Sequence, residues 1–225
     1  MTLEEVYKAI KRKIISVGVL PTIKLIITRS VEKIFHRETV LFYIDVPGYS
    51  LNPQEISKHI IGKEIKSFMD LSSKDISSIR DYVGEKYIAE SKRRFANNWR
   101  LFLAYIDDQL AGACWAVTNT SDLKTKVVPL LEGDVALIDA WTVPSFRGRN
   151  VYPFILSFIV NQFKEKNFKR AFGYGDIWNI SALKGLKKGG FRDYILYESY
   201  IIFGNEVVIW KPASKKNHIR KRFLQ

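Results

Sequence analysis

Hydrophobic and polar positions divide the chain into stretches of different period. Val6, Ile10 and Ile14 fall on one face of a predicted helix over 3–17, and Gly18 and Pro21 interrupt it. A second helix is predicted over 23–35, where Ile and Val alternate with Lys24, Arg29 and Lys33. A strand at 39–46 ends at Pro47-Gly48, and 51–60 reads as a linker with room for a short helix. Residues 64–69 read as the next strand. Ser72-Ser73-Lys74-Asp75 opens a helix towards 82, and another is predicted over 88–96. The runs 100–106 and 110–118 flank Asp107-Asp108-Gln109 as a hairpin. Residues 135–143 read as a continuous apolar run except at Asp139, the mark of a strand covered on both faces. A helix over 151–166, a strand over 169–175, a helix over 179–188 and a hairpin of 194–203 and 207–210 around Gly204-Asn205 complete the pattern. There is no internal repeat and no low-complexity stretch.

Strands alternating with helices predict an α/β domain. We place it at 63–210, after an N-terminal basic extension of two helices and a strand (1–62) and before a basic tail (211–225). The 225 residues, 47% of them hydrophobic, suffice for one domain of this kind plus an extension. Trp99, Trp115, Trp141 and Trp178 fall on or beside predicted core elements and read as packing residues.

Composition narrows the chemistry. The single cysteine, Cys114, rules out an internal disulfide and a cysteine-built metal cluster, and its apolar surroundings read as packing. His36, His59 and His218 are scattered, with no pair at metal-ligand spacing, so no metal is expected and a Ser-His-Asp triad is unpromising. No signal peptide is recognisable, and the apolar runs are far shorter than the roughly 20 residues of a membrane span. These features predict a reduced, cytoplasmic protein. The net charge of +13 gathers at the ends. Lys8, Lys11, Arg12, Lys13, Lys24, Arg29, Lys33 and Arg37 face only three acids in the first segment, and the tail from Lys211 carries no acid. Two readings stay open: a solvated basic surface, or peripheral contact with a polyanion, for which an anionic membrane is favoured over nucleic acid.

The segment Pro144-Ser145-Phe146-Arg147-Gly148-Arg149-Asn150-Val151-Tyr152-Pro153 carries the most chemistry. It joins a buried strand to an apolar helix through a short basic turn. Such a turn gathers backbone N–H groups beside a helix N-terminus, which suits phosphate, and Arg147 and Arg149 add full charges. Downstream, another strand leads to Asn179, which suits a helix N-cap, and the helix stops at Gly189-Gly190 before Phe191.

In this order and spacing the sequence resembles the GNAT superfamily of acyl-CoA-dependent N-acyltransferases. Arg147 to Tyr152 occupies the family's Arg/Gln-x-x-Gly-x-Gly/Ala motif, and Asn179 to Phe191 its later Asn-x-x-Ala/Ser to Gly-Phe motif. The resemblance spans roughly 64–210. It implies a mixed central sheet flanked by helices and acetyl-CoA, or another acyl-CoA, as co-substrate. Ala140, Trp141 and Thr142 would lie along the thioester arm. Arg147, Gly148, Arg149, Asn150, Val151 and Tyr152 would lie at the pyrophosphate, with Asn179 nearby. The chain departs from the motif at Asn150, which replaces a glycine but tolerates the left-handed conformation, and at Tyr152, a bulky residue where Gly or Ala is usual. The Arg-Gly-x-x-aliphatic-Tyr-Pro form resembles members linked to cell-surface polysaccharide synthesis.

Acyl transfer requires a polarised thioester carbonyl, removal of an ammonium proton and stabilisation of the departing thiolate. Asp139 is the acid of the motif strand and is expected to act as base from a desolvated position, unless it is an ion-pair partner. Asp176, ending the next strand, is the second candidate. The family's usual phenolic acid falls at Leu186, so Tyr152, Tyr174 or Tyr197 would replace it. Lys184, Lys187 and Lys188 lie near the region of the nucleotide phosphates, where they could equally be a solvated helix face. The expected function is transfer of an acyl group, acetyl by first choice, to the amine of a small molecule such as an amino sugar. Two alternatives remain: a long-chain N-acyl amino acid synthase, and a non-catalytic adaptor of the same fold that binds membrane or nucleic acid through its ends.

Overall fold

Parallel and antiparallel strands share one sheet, and within residues 39–196 both of its faces carry buried apolar clusters. The computed structural model describes residues 36–118, 130–202 and 205–211. The predicted helices over 3–17 and 23–35, and the tail beyond Lys211, lie outside the described residues. In chain order the elements are β1 (His36–Asp45), α1 (Pro53–Ile56), β2 (Ile60–Ile65), α2 (Ser73–Val83), α3 (Glu85–Ala96), β3 (Arg100–Ile106), β4 (Gln109–Val117), β5 (Asp134–Thr142), α4 (Val151–Lys164), β6 (Arg170–Asp176), α5 (Ile180–Lys188), β7 (Arg192–Ile202) and β8 (Asn205–Lys211). Residues 39–196 form one compact unit, whose strands run in the order β2-β3-β4-β5-β6-β1-β7. Residues 197–210 belong to a second unit, in which the outer part of β7 neighbours β8.

Two clusters fill the space above and below the sheet of the larger unit. Phe42, Phe102, Ala104, Cys114, Val135 and Leu137 point to the side of α4 and α5, where they meet Phe154, Ile155, Ile159 and Phe163. Leu101, Leu103, Trp115, Ala136 and Ile138 point to the side of α2 and α3, against Ile79, Tyr87, Ile88 and Trp99. Alternate residues of one strand therefore enter different cores, which is why β3 and β4 read as unbroken apolar runs.

Local signals set most boundaries. Ser72 caps α2 in a reciprocal box with Asp75, as its sequence predicts. The β3–β4 turn is two residues, Asp107 and Asp108, both at positive φ (49° and 56°), a conformation acidic side chains tolerate. Two expectations need correction. The strand expected at 64–69 lies at Ile60–Ile65 in antiparallel register with β3, and Ser67 and Asp70 close a separate 3-10 turn after it. The strand expected at 39–46, grouped above with the extension, runs inside the sheet: Thr39 to Asp45 pair antiparallel with Asp176 to Arg170. Among the packing tryptophans, Trp99 and Trp115 are buried, whereas Trp178 is 78% exposed.

Candidate active site

The sheet opens at one point. β5 and β6 run parallel and pair from Asp134–Arg170 to Leu137–Gly173, and there the pairing stops. β5 continues to Thr142 and β6 to Asp176 without further bonds between them, while Tyr174, Gly175 and Asp176 stay paired to β1. The other end of the parallel pair is clamped. Asp134, 1% exposed, takes Nε and Nη2 of Arg170 at 2.8 and 2.6 Å. The result is a wedge at the carboxyl ends of two parallel strands, the usual ligand position in α/β sheets.

A bulge in β5 helps to make the wedge. Ala113 faces Trp141 and Trp115 faces Ile138, so Asp139 and Ala140 together oppose Cys114. Asp139 has φ 51°, in the left-handed region. The extra residue turns Trp141 back to the α3 side, where its Nε1 donates to the Tyr87 hydroxyl at 3.0 Å. Trp115 Nε1 donates to the same oxygen at 2.8 Å. Burial pushes the Tyr87 phenol up, with the negative charge of Asp139 adding to the effect.

The basic turn follows within ten residues. Pro144–Phe146 makes one 3-10 turn, Gly148 (φ 79°) and Asn150 (φ 65°) are left-handed, and α4 starts at Val151. Arg147 and Arg149 spend their N–H groups on the carbonyls of Pro144 and Phe146. The N–H groups of Gly148, Asn150, Val151 and Tyr152 have no partner among the described residues. Four free donors at a helix start, beside the exposed Arg147 and Arg149, make a geometry that suits an anion. Lys188 Nζ donates to Asn150 Oδ1 at 2.7 Å, which brings one lysine of α5 to the turn. Of the other two α5 lysines, Lys187 pairs with Asp193 at 3.1 Å instead.

Tyr152 does not occupy the outer face of the turn. Its ring lies against Gly185 of α5, and burial, followed by the proximity of Cys114, raises its phenol pKa. Cys114 is fully buried, and its thiol is likewise pushed up by burial; it packs, as expected. Leu186 is in the core, directly over Gly173 of β6. Asn179 caps α5 by accepting from Ala182 N at 3.1 Å, and Asp176 accepts from Thr39 Oγ1 at 3.1 Å. Tyr49, whose pKa burial raises to about 12, donates to the Gly189 carbonyl at 2.8 Å and fixes the far end of α5.

The largest correction concerns Asp139. A desolvated base was expected; the side chain is instead 43% exposed and bonds Arg94 Nη1 at 2.5 Å. The ion-pair alternative is the one the side chain adopts, and the sequence does not signal its partner Arg94 or the nearby Tyr87. They sit on α3, 45 and 52 residues upstream, where helical period predicts only an amphipathic face.

Compared by sequence, the chain matches no family model and no curated protein. Solved structures do match. A GCN5-related glucosamine N-acetyltransferase region of a fungal multi-domain GH3 β-N-acetylglucosaminidase is 14% identical, with a TM-score of 0.54 over 80% of this chain and 23% of that one. A GNAT-family acetyltransferase from Colwellia psychrerythraea is 12% identical, with a TM-score of 0.52 over 77% and 55%. A GCN5-related N-acetyltransferase from Sphaerobacter thermophilus is 11% identical, with a TM-score of 0.50 over 77% and 55%. The chain thus spans little more than half the length of the two bacterial proteins. The fold is that of the GNAT acetyltransferases.

Proposed function

We propose that the chain is an N-acyltransferase that moves an acyl group, acetyl by first choice, from acyl-CoA to a small-molecule amine. One observation carries the proposal: the opened β5–β6 wedge lies directly before a turn whose four free N–H groups and two arginines suit a pyrophosphate. A thioester on a flexible arm, tethered by phosphates at one end, fits that succession. The turn, with Lys188, would bind the phosphates, and backbone groups of β5 beyond Leu137 would orient the arm and polarise its carbonyl. The amine nitrogen forms the new bond to carbon as the C–S bond breaks. Asp176, at the mouth of the wedge on β6, replaces Asp139 as our candidate to take the ammonium proton, through water. For the thiolate proton Tyr152 stays our candidate from the sequence; against it stand the packing of its ring on Gly185 and the burial that weakens it as an acid, which leaves water as the other donor.

Isothermal titration with acetyl-CoA tests the reading. Wild type should bind, and Arg147→Glu should weaken binding at least tenfold by reversing a charge at the turn. No heat and no thermal shift with wild type would overturn it. An amino sugar remains our choice of acceptor. It starts from the Arg147-Gly148 to Tyr152-Pro153 form, and the fungal domain of like fold bears glucosamine in its name. Acetylation of glucosamine in preference to amino acids would support that choice.

Contact of the basic ends with an anionic membrane is a separate proposal, resting on sequence charge alone. Each Lys or Arg near an anionic leaflet contributes about 1 kcal/mol. Removing 212–225 should reduce sedimentation with anionic vesicles and spare acetyl-CoA binding. Equal sedimentation with neutral vesicles would show that charge is not the cause.

A further inference from the structure

The bulge at Asp139 has an unusual support. Left-handed backbone is less favourable for Asp than for Gly, and Asp139 adopts it (φ 51°) in mid-strand rather than in a turn. No β6 residue pairs with it, because that pairing ends at Leu137. Its side chain is held by Arg94 of α3, with Nη1 to Oδ2 at 2.5 Å. Arg94 is 13% exposed and Asp139 43% exposed, so the pair has a solvent-facing carboxylate end and a packed arginine end, and it is the packing of the arginine that restrains it. The guanidinium carbon lies 5.2, 5.3 and 5.8 Å from the ring centroids of Trp99, Trp115 and Tyr87, and its Nε reaches Glu90 at 3.4 Å. Trp115 neighbours Cys114, the residue opposite the bulge, and Tyr87 accepts the indole N–H of Trp141, two residues beyond it. One planar cation therefore touches both strands of the bulged pair and the helix above them.

We infer that Arg94 is a positioning residue: through Asp139 it pins the β5 bulge and so keeps the wedge between β5 and β6 in shape to accept the thioester arm. The role of the wedge rests on the function proposed above; the pin does not. In this arrangement the Asp139 carboxylate serves Arg94, and what the site uses is the backbone conformation it fixes. Glycine adopts that conformation without support, so a glycine at 139 should make Arg94 dispensable.

The test compares wild type, Arg94→Met and the double variant Arg94→Met/Asp139→Gly by hydrogen exchange and by titration with acetyl-CoA. Arg94→Met should speed exchange of the amides of 139–142 at least tenfold while those of 101–104 stay protected. It should raise the acetyl-CoA Kd at least tenfold, and the double variant should recover to within about threefold of wild type. Unchanged exchange at 139–142 in Arg94→Met, or a double variant no tighter than the single one, overturns the pin. If Arg94→Met does not fold, Arg94→Lys serves: it keeps the charge but not the planar fork, and it should show a smaller loss that Asp139→Gly also repairs. Failure of wild type to bind acetyl-CoA would sink the acyltransferase reading, and the exchange measurement would still decide the pin.

Discussion

Tyr152 and Gly185 fit each other as side chain and gap. A Cβ placed on Gly185 would come within 2.3 Å of Tyr152 Cδ1 and 2.9 Å of Cε1. The bulky departure from the turn motif is therefore accommodated by a missing side chain on the neighbouring helix. Because the ring turns inward, the N–H groups of the turn remain open to a ligand.

Gly185→Ala should accordingly destabilise the domain by about 1–3 kcal/mol through overpacking, against the roughly 0.5–1 kcal/mol that alanine ordinarily gains within a helix. Tyr152→Ala leaves a cavity and should cost about 3 kcal/mol. The double variant should be more stable than the sum of the two losses, since each change relieves the other. Urea unfolding of the four proteins measures the coupling, and strict additivity would mean that the two residues do not compete for one space.

How far this could be seen beforehand differs between the turn and the wedge. The turn was legible because its parts adjoin in sequence: an apolar strand, Arg147 to Asn150, and an apolar helix. Helix caps such as Ser72 with Asp75, and Asn179, were legible for the same reason. The position of β1 was not, because its partner β6 is some 130 residues away and nothing local announces an insertion between β6 and β7. The bulge was hidden as well. Asp139 shows in sequence as an acid in an apolar run, which fits a buried base and a bulge equally well. Only the register against β4 and the approach of Arg94 from α3 decide between them.

Arg170 closes the end of β5 and β6 opposite the wedge. Its contact with Asp134 raises the Arg170 pKa, and Asp134 also accepts from Leu131 N at 2.9 Å. Arg170→Met strands a carboxylate that is 1% exposed and should cost about 3 kcal/mol. Chemical denaturation gives the value. A loss below about 1 kcal/mol would mean that solvent reaches Asp134 once the arginine is gone.

Acid should loosen the pin on β5 from its outer side. Glu90 bonds Arg93 and Arg94, and chiefly the hydrogen bond from Arg93 lowers its pKa from 4.5 to about 2. A carboxyl whose pKa is depressed by folding adds stability that is complete above the unfolded value and lost as pH falls through the folded one. The window here runs from about 4.5 down to about 2. Glu90→Gln should melt below wild type at pH 6, with the gap narrowing across that window. Melting curves of both proteins from pH 6 to pH 2 test this, and a gap independent of pH would assign the effect to packing.

Asn150 carries two duties that substitution can separate. Its backbone takes φ 65° at the start of α4, and its Oδ1 receives Lys188. Asn150→Gly keeps the first and loses the second, whereas Asn150→Ala loses the second and strains the first by about 1 kcal/mol or more. If the turn's N–H groups hold the phosphates, their directions matter more than one tethered lysine. Asn150→Gly should then bind acetyl-CoA within about threefold of wild type, and Asn150→Ala about tenfold more weakly, with most of its loss in a KM rise rather than in kcat. Equal weakening in both variants would shift the emphasis to Lys188. In that case Lys188→Gln should reproduce the loss, and raising the salt concentration should erase the difference between that variant and wild type, because an exposed charge at the turn is screened.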